Sequence, residues 1–162
     1  MLPKMTPEQH YEKFCERRDN RDYHAIFMHG CCYHFALALH KKFGYSLEYV
    51  PGEPHTEFVP DDPELPLIGH CWAVKQPGRA IDINGVRRTI VLKEIYSESC
   101  LYQPIAIEPE LLMRCLLARK YPDALNDEAF SLAAFIIEKH ARMQDARPLD
   151  VAWMQDERNG HR

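Results

Sequence analysis

A cysteine, a histidine and an aspartate in that order can attack a carbonyl through a base-activated thiolate, and this chain offers Cys32, His70 and Asp82. Cys32 lies in Gly30-Cys31-Cys32-Tyr33-His34-Phe35-Ala36-Leu37-Ala38-Leu39, where Phe35, Ala36 and Leu39 follow it by three, four and seven residues. That spacing puts Cys32 on the packed face of a helix, in its first turn. Unpaired backbone N–H groups and the positive end of the helix dipole favour thiolate over thiol there, and they can also bind the oxyanion that its attack creates. Gly30 lets the backbone turn into the helix and leaves room for substrate. Cys31 competes for the role, but the core spacing favours Cys32 and leaves Cys31 structural.

Of nine histidines, His70 is the one in a strand-like run, Gly69-His70-Cys71-Trp72-Ala73-Val74. A strand holds catalytic geometry better than a loop. A histidine base needs a partner on its other ring nitrogen, and Asp82 is twelve residues on. A hairpin turning at Gln76-Pro77-Gly78 brings the two side by side on one face. His29, Tyr33, Trp72 and Asn84 are the further substrate or oxyanion candidates beside Gly30. Trp72 also suits a core position, Asn84-Gly85 a tight turn, and Tyr33 either a groove wall or a packed aromatic. Cys31, Cys32, His70 and Cys71 form a rival zinc set. Adjacent ligands on one helix or strand point to different faces, and no Cys-x-x-Cys knuckle is present, so no metal and no cofactor are expected.

The elements that must position these residues follow from periodicity and breakers. Thr6-Pro7-Glu8 caps a short amphipathic helix reaching about Asp19. A loop leads to the helix Cys32 to Phe43, which Gly44 stops. Ser46 to Val50 reads as a strand, and the proline-rich stretch Pro51 to Pro66 as an exposed loop whose acidic residues disfavour an acidic substrate nearby. Leu67 to Lys75 and Arg79 to Ile83 are strands, Ile90 to Tyr96 fits strand or helix, and Leu101 to Ile107 is a strand. Helical stripes over Pro109 to Lys120 and Asp127 to Arg142 are wide enough to complete the core rather than to dock a partner. The residues after Pro148 read as frayed.

With 162 residues, 46% hydrophobic and 27% charged, the chain suits one globular domain. A net charge of −4 with mixed signs argues against a nucleic-acid footprint. The basic cluster Lys13 to Arg21 is interleaved with acids and reads as a solvated helix face. No apolar run could span a bilayer and no leader-like segment opens the chain, so the expectation is a cytoplasmic protein with no membrane association. Six cysteines without a secreted-scaffold spacing point to reduced thiols, with disulfides as the alternative.

Cys32-Tyr33-His34-Phe35-Ala36 resembles the nucleophile helix of papain-like cysteine peptidases, in which an aromatic follows the cysteine. His70-Cys71-Trp72-Ala73-Val74 followed by Ala80-Ile81-Asp82-Ile83-Asn84-Gly85 is similar to the histidine-strand, aspartate-strand hairpin of the transglutaminase-like branch of that superfamily. The resemblance spans about Gly30 to Gly85. It departs at the second oxyanion donor, since His24 to Cys31 contains no glutamine. It implies an α+β papain-like domain over 1–162, with a core of about 24–107, the nucleophile helix packed on a small antiparallel sheet, and a helical C-terminal extension of about 108–145. It implies nucleophile, base and orienter roles for Cys32, His70 and Asp82. The expected activity is hydrolysis of an amide or thioester in a protein or peptide substrate, by a peptidase, amidase or deamidase. The alternatives are a transglutaminase-like acyl transferase and a non-catalytic binding module on the same fold.

Overall fold

Cys32 opens helix α1 (Cys32–Phe43) in the computed structural model, which describes residues 30–54, 58–83, 85–90 and 103–146, with side chains through Lys139, together with Thr6, Gln9 and Phe27. Gly44 ends the helix as the spacing predicts: at φ 72° its N–H reaches back to the His40 carbonyl at 2.7 Å. His40 adds a ring contact, Nδ1 to the Tyr45 carbonyl at 2.7 Å, that fixes the exit of the chain. His40, Lys41 and Lys42 occupy the last turn, where the dipole favours positive charge, and no acidic residue occupies the first. The positive field at the Cys32 end is therefore not offset by a neighbouring carboxylate in that turn.

Five strands follow: β1 (Ser46–Pro51), β2 (Ile68–Gln76), β3 (Arg79–Asp82), β4 (Gly85–Arg88) and β5 (Ile105–Ile107). They form one antiparallel sheet in the order β4-β3-β2-β1-β5. Strand alternation divides its residues. Leu47, Tyr49, Cys71, Ala73 and Ile81 join Phe35, Ala36 and Leu39 of α1 in the main core. Val50, Trp72 and Ala80 form a second cluster, against which Val74 packs. Trp72 is fully buried there, and its Nε1 donates to Glu48 Oε2 at 3.3 Å.

Helices α2 (Pro109–Ala118) and α3 (Asp123–Ala146) complete the main core with Leu112, Cys115, Leu116, Leu132, Ala133, Ile136 and Ile137. α3 is tied to α1 by a partly buried side-chain bond, His34 Nε2 to Asn126 Oδ1 at 2.9 Å. The architecture is α+β, a five-stranded antiparallel sheet with three helices among the described residues. None of those helices is long and apolar enough to cross a membrane.

Several boundaries differ from the sequence reading. β4 is a strand the sequence reading did not contain: Asp82 pairs with Gly85, so the chain reverses and pairs again at once. Gly-Val-Arg-Arg carries one apolar side chain in four residues, too little alternation to register as a strand. β5 is shorter than expected. α3 starts four residues early, because the Pro122 carbonyl accepts from Leu125 and Asn126 and begins the first turn. Thr6 and Gln9 exchange the two bonds of an N-terminal cap, Gln9 N–H to Thr6 Oγ1 at 3.2 Å and Thr6 N–H to Gln9 Oε1 at 2.9 Å. The remainder of that first helix, residues 91–102 and the tail after Pro148 lie outside the described residues.

Candidate active site

The hairpin register places the histidine and the aspartate. Ala73 faces Ile81 and Val74 faces Ala80, so continuing the pairing sets Asp82 opposite Trp72. His70 is then one pleat further along on the same side. The resulting diagonal contact joins His70 Nε2 and Asp82 Oδ2 at 2.9 Å, with the two residues 0% and 3% exposed. Burial alone would push the imidazole down. Hydrogen bonds with Asp82 and with Cys32, and the negative charge of both, outweigh it and hold His70 at about 9.

Cys32 is 4% exposed and favours thiolate, its pKa held well below the usual thiol range. The largest cause is a side-chain hydrogen bond from Cys71, with the hydrogen bond and positive charge of His70 acting in the same direction and burial opposing them. Cys71, which faces α1 from β2, is pushed far up, first by burial and then by the Cys32 charge. It is therefore a neutral donor to its neighbour. Cys31 behaves differently from Cys32 despite adjacency: burial raises it to about 11. With Nε2 taken by Asp82, proton exchange with Cys32 falls to Nδ1 of His70. Base-activated nucleophilic attack on a carbonyl is the chemistry such an arrangement can perform.

Gly30 stands at φ 135°, and its carbonyl accepts a 3.0 Å hydrogen bond from the Tyr121 hydroxyl. A Cβ added there would lie 3.0 Å from that same oxygen, so both the backbone angle and the close approach require glycine. Tyr33 is buried, its ring lies beside the Arg119 guanidinium, and burial pushes its phenol far up. Trp72 requires a correction. Fully buried and packed with Val50 and Ala80, it is a core residue and walls no open groove. His29 and Asn84 lie outside the described residues.

Sequence reasoning missed four contributors. Cys71 entered only as a zinc ligand, although alternation along β2 already pointed it toward the helix. The rings of Tyr33, Phe58 and Tyr121 gather around Arg119, which joins the end of α2 to α1 and the proline-rich loop. No local pattern links positions so far apart. Among the described residues, no group of three or more His, Cys, Asp or Glu side chains is gathered to hold a metal ion. Cys31, Cys32, Cys71 and Cys115 are free thiols. No protein-family model, no curated protein and no solved structure matches this chain.

Proposed function

We propose that this protein is a cysteine hydrolase with a papain-like, transglutaminase-like core, acting on an amide or thioester bond of a protein or peptide. The observation that carries the reading is the buried contact of His70 Nε2 with Asp82 Oδ2 at 2.9 Å, beside a Cys32 that His70 and Cys71 hold toward thiolate. His70 takes the Cys32 proton, and the thiolate adds to the substrate carbonyl. N–H groups in the first turn of α1 receive the oxyanion. His70 then protonates the leaving amine or thiolate as the C–N or C–S bond breaks, leaving a thioester on Cys32. Water, deprotonated by His70, attacks that thioester, releases the acid and restores the thiol. Asp82 keeps the imidazole oriented and steadies its charged form. Free thiols at all four described cysteines fit a reducing, cytoplasmic setting.

A second reading of the same site is acyl transfer, in which an amine takes the place of water in attacking the Cys32 thioester. Acyl transfer then replaces hydrolysis with no change in the roles of the three residues.

The test is the rate of iodoacetamide alkylation at each cysteine against pH, read by mass spectrometry, in the parent chain and in His70→Ala. The reading expects Cys32 to alkylate fastest, to stay reactive well below the roughly 8.5 of a free thiol, and to lose that property without His70. Equal rates at Cys32, Cys71 and Cys115, unchanged by His70→Ala, would remove it.

A further inference from the structure

Three basic residues, Arg114 within α2 and Arg119 and Lys120 just after it, have partners that differ in kind. Arg114 meets Asp62 at 3.3 Å and Lys120 meets Asp61 at 4.0 Å, both at the surface. Arg119, between them in sequence, pairs with no carboxylate among the described residues. It is held by rings: its guanidinium carbon lies 5.0 Å from the centroid of Phe58, 5.1 Å from Tyr121 and 5.7 Å from Tyr33. Its Nε is buried without a hydrogen-bond partner. Aromatic faces attract a cation through their quadrupole and leave its net charge intact, whereas a carboxylate cancels it. The box thus presents a positioned positive charge.

That charge flanks the nucleophile. Tyr33 is the residue after Cys32, and Tyr121 hydrogen-bonds through its hydroxyl to the Gly30 carbonyl two residues before it. The acidic loop, which from sequence disfavours an acidic substrate, has Asp61 and Asp62 turned to Lys120 and Arg114 and contributes Phe58 to the box.

We infer that Arg119, boxed by Tyr33, Phe58 and Tyr121, is a specificity-determining residue that receives a carboxylate of the substrate beside the carbonyl attacked by Cys32. The inference rests on the hydrolase reading. The carboxylate could be the α-carboxylate of a chain end, which makes the reaction an attack next to a C-terminus, or the side chain of an acidic residue. A planar guanidinium suits either through paired N–H···O bonds.

Three alkylating probes separate the outcomes: N-iodoacetylglycine, with a terminal carboxylate; N-iodoacetyl-aspartic acid α-amide, with only the side-chain carboxylate; and neutral N-iodoacetylglycinamide. In each case the Cys32 thiolate forms a C–S bond and iodide leaves. In the intact protein, one of the acidic probes is expected to label Cys32 about tenfold or more faster than the neutral one, the range of a charge-assisted hydrogen bond. The preferred probe identifies the source of the carboxylate. Arg119→Gln should abolish the preference, and Arg119→Lys should keep much of it. A Cys32 that reacts rapidly with the neutral probe but shows no acidic preference, or the same preference in Arg119→Gln, overturns the carboxylate site and leaves the hydrolase reading standing. A Cys32 no more reactive than Cys71 toward all three probes overturns both.

Discussion

His70 and Asp82 meet across one pleat of the β2–β3 hairpin, at 2.9 Å, and the pairing of Ala73 with Ile81 sets that meeting. The ladder shifts between Val74 and Gln76, so the turn at Gly78 does not by itself dictate the register. A slip of one residue would carry Asp82 to the opposite face and separate the pair. The contact is thus a property of the sheet before it is a property of the site.

Asp82→Asn keeps the shape at this contact and removes the negative charge. His70 should lose part of the upward push on its pKa, and the Cys32 thiolate should weaken with it. We expect turnover on any substrate that is found to fall by roughly 10²- to 10⁴-fold, with the acid limb of Cys32 alkylation moving to higher pH. An unchanged alkylation profile would show that Asp82 does not orient the base.

The His70 shift also sets a pH window for stability. The ordinary imidazole value is 6.5 and the folded one about 9, so the group binds its proton more tightly when folded. Its contribution to stability is complete below the unfolded value and is lost as pH rises through about 9. Thermal melts of the parent chain and His70→Gln across this range should show a Tm advantage for the parent that shrinks toward alkaline pH. An advantage that grows from neutral to alkaline pH would contradict the ion pair.

Cys71 donates to Cys32, and the two replacements of Cys71 should separate packing from chemistry. Cys71→Ser keeps a donor and should keep the Cys32 thiolate, whereas Cys71→Ala removes it and should raise the pH at which Cys32 becomes reactive. Both cost stability at a buried position, on the order of 1 kcal/mol. Alkylation profiles measured alongside denaturant melts decide whether reactivity tracks the donor or merely the loss of stability.

Gly30→Ala combines a backbone angle that L residues avoid with a Cβ 3.0 Å from the Tyr121 oxygen. We expect a loss of about 1–3 kcal/mol in chemical denaturation. Because the hydroxyl belongs to a side chain that can move, Tyr121→Phe in the same chain should recover the steric part and leave the backbone part. Full recovery would mean that the angle carries no strain.

Trp72→Ala tests whether that ring belongs to the core. As a fully buried ring between strands it should cost about 3–5 kcal/mol on truncation. Trp72→Phe should cost much less and leave KM for any substrate that is found as it was, an outcome that a substrate-contacting tryptophan would not give.

Local signals made the frame legible. Phe35, Ala36 and Leu39 marked the helix, Gly44 its end, and Pro77-Gly78 the hairpin that brings His70 and Asp82 together through short-range rules. What stayed hidden depends on pairing over long separations. β4 has too few side chains to show a period, and its existence follows from the turn next to Asp82. Arg119 and Tyr121 come from a helix end whose stripe spoke only of burial, and no spacing rule relates position 119 to position 33. Cys71 lay between: its side was given by alternation, but its role as donor required knowing where α1 crosses the strand.

β2 has two strands on either side in the sheet order, and His70 and Cys71 both ride on it. A strand at the centre of a sheet opens mainly when the whole fold opens, while edge strands and helix ends fray far more often. Heat should therefore silence the thiolate and melt the protein in a single event, and damage confined to the periphery would leave the nucleophile armed.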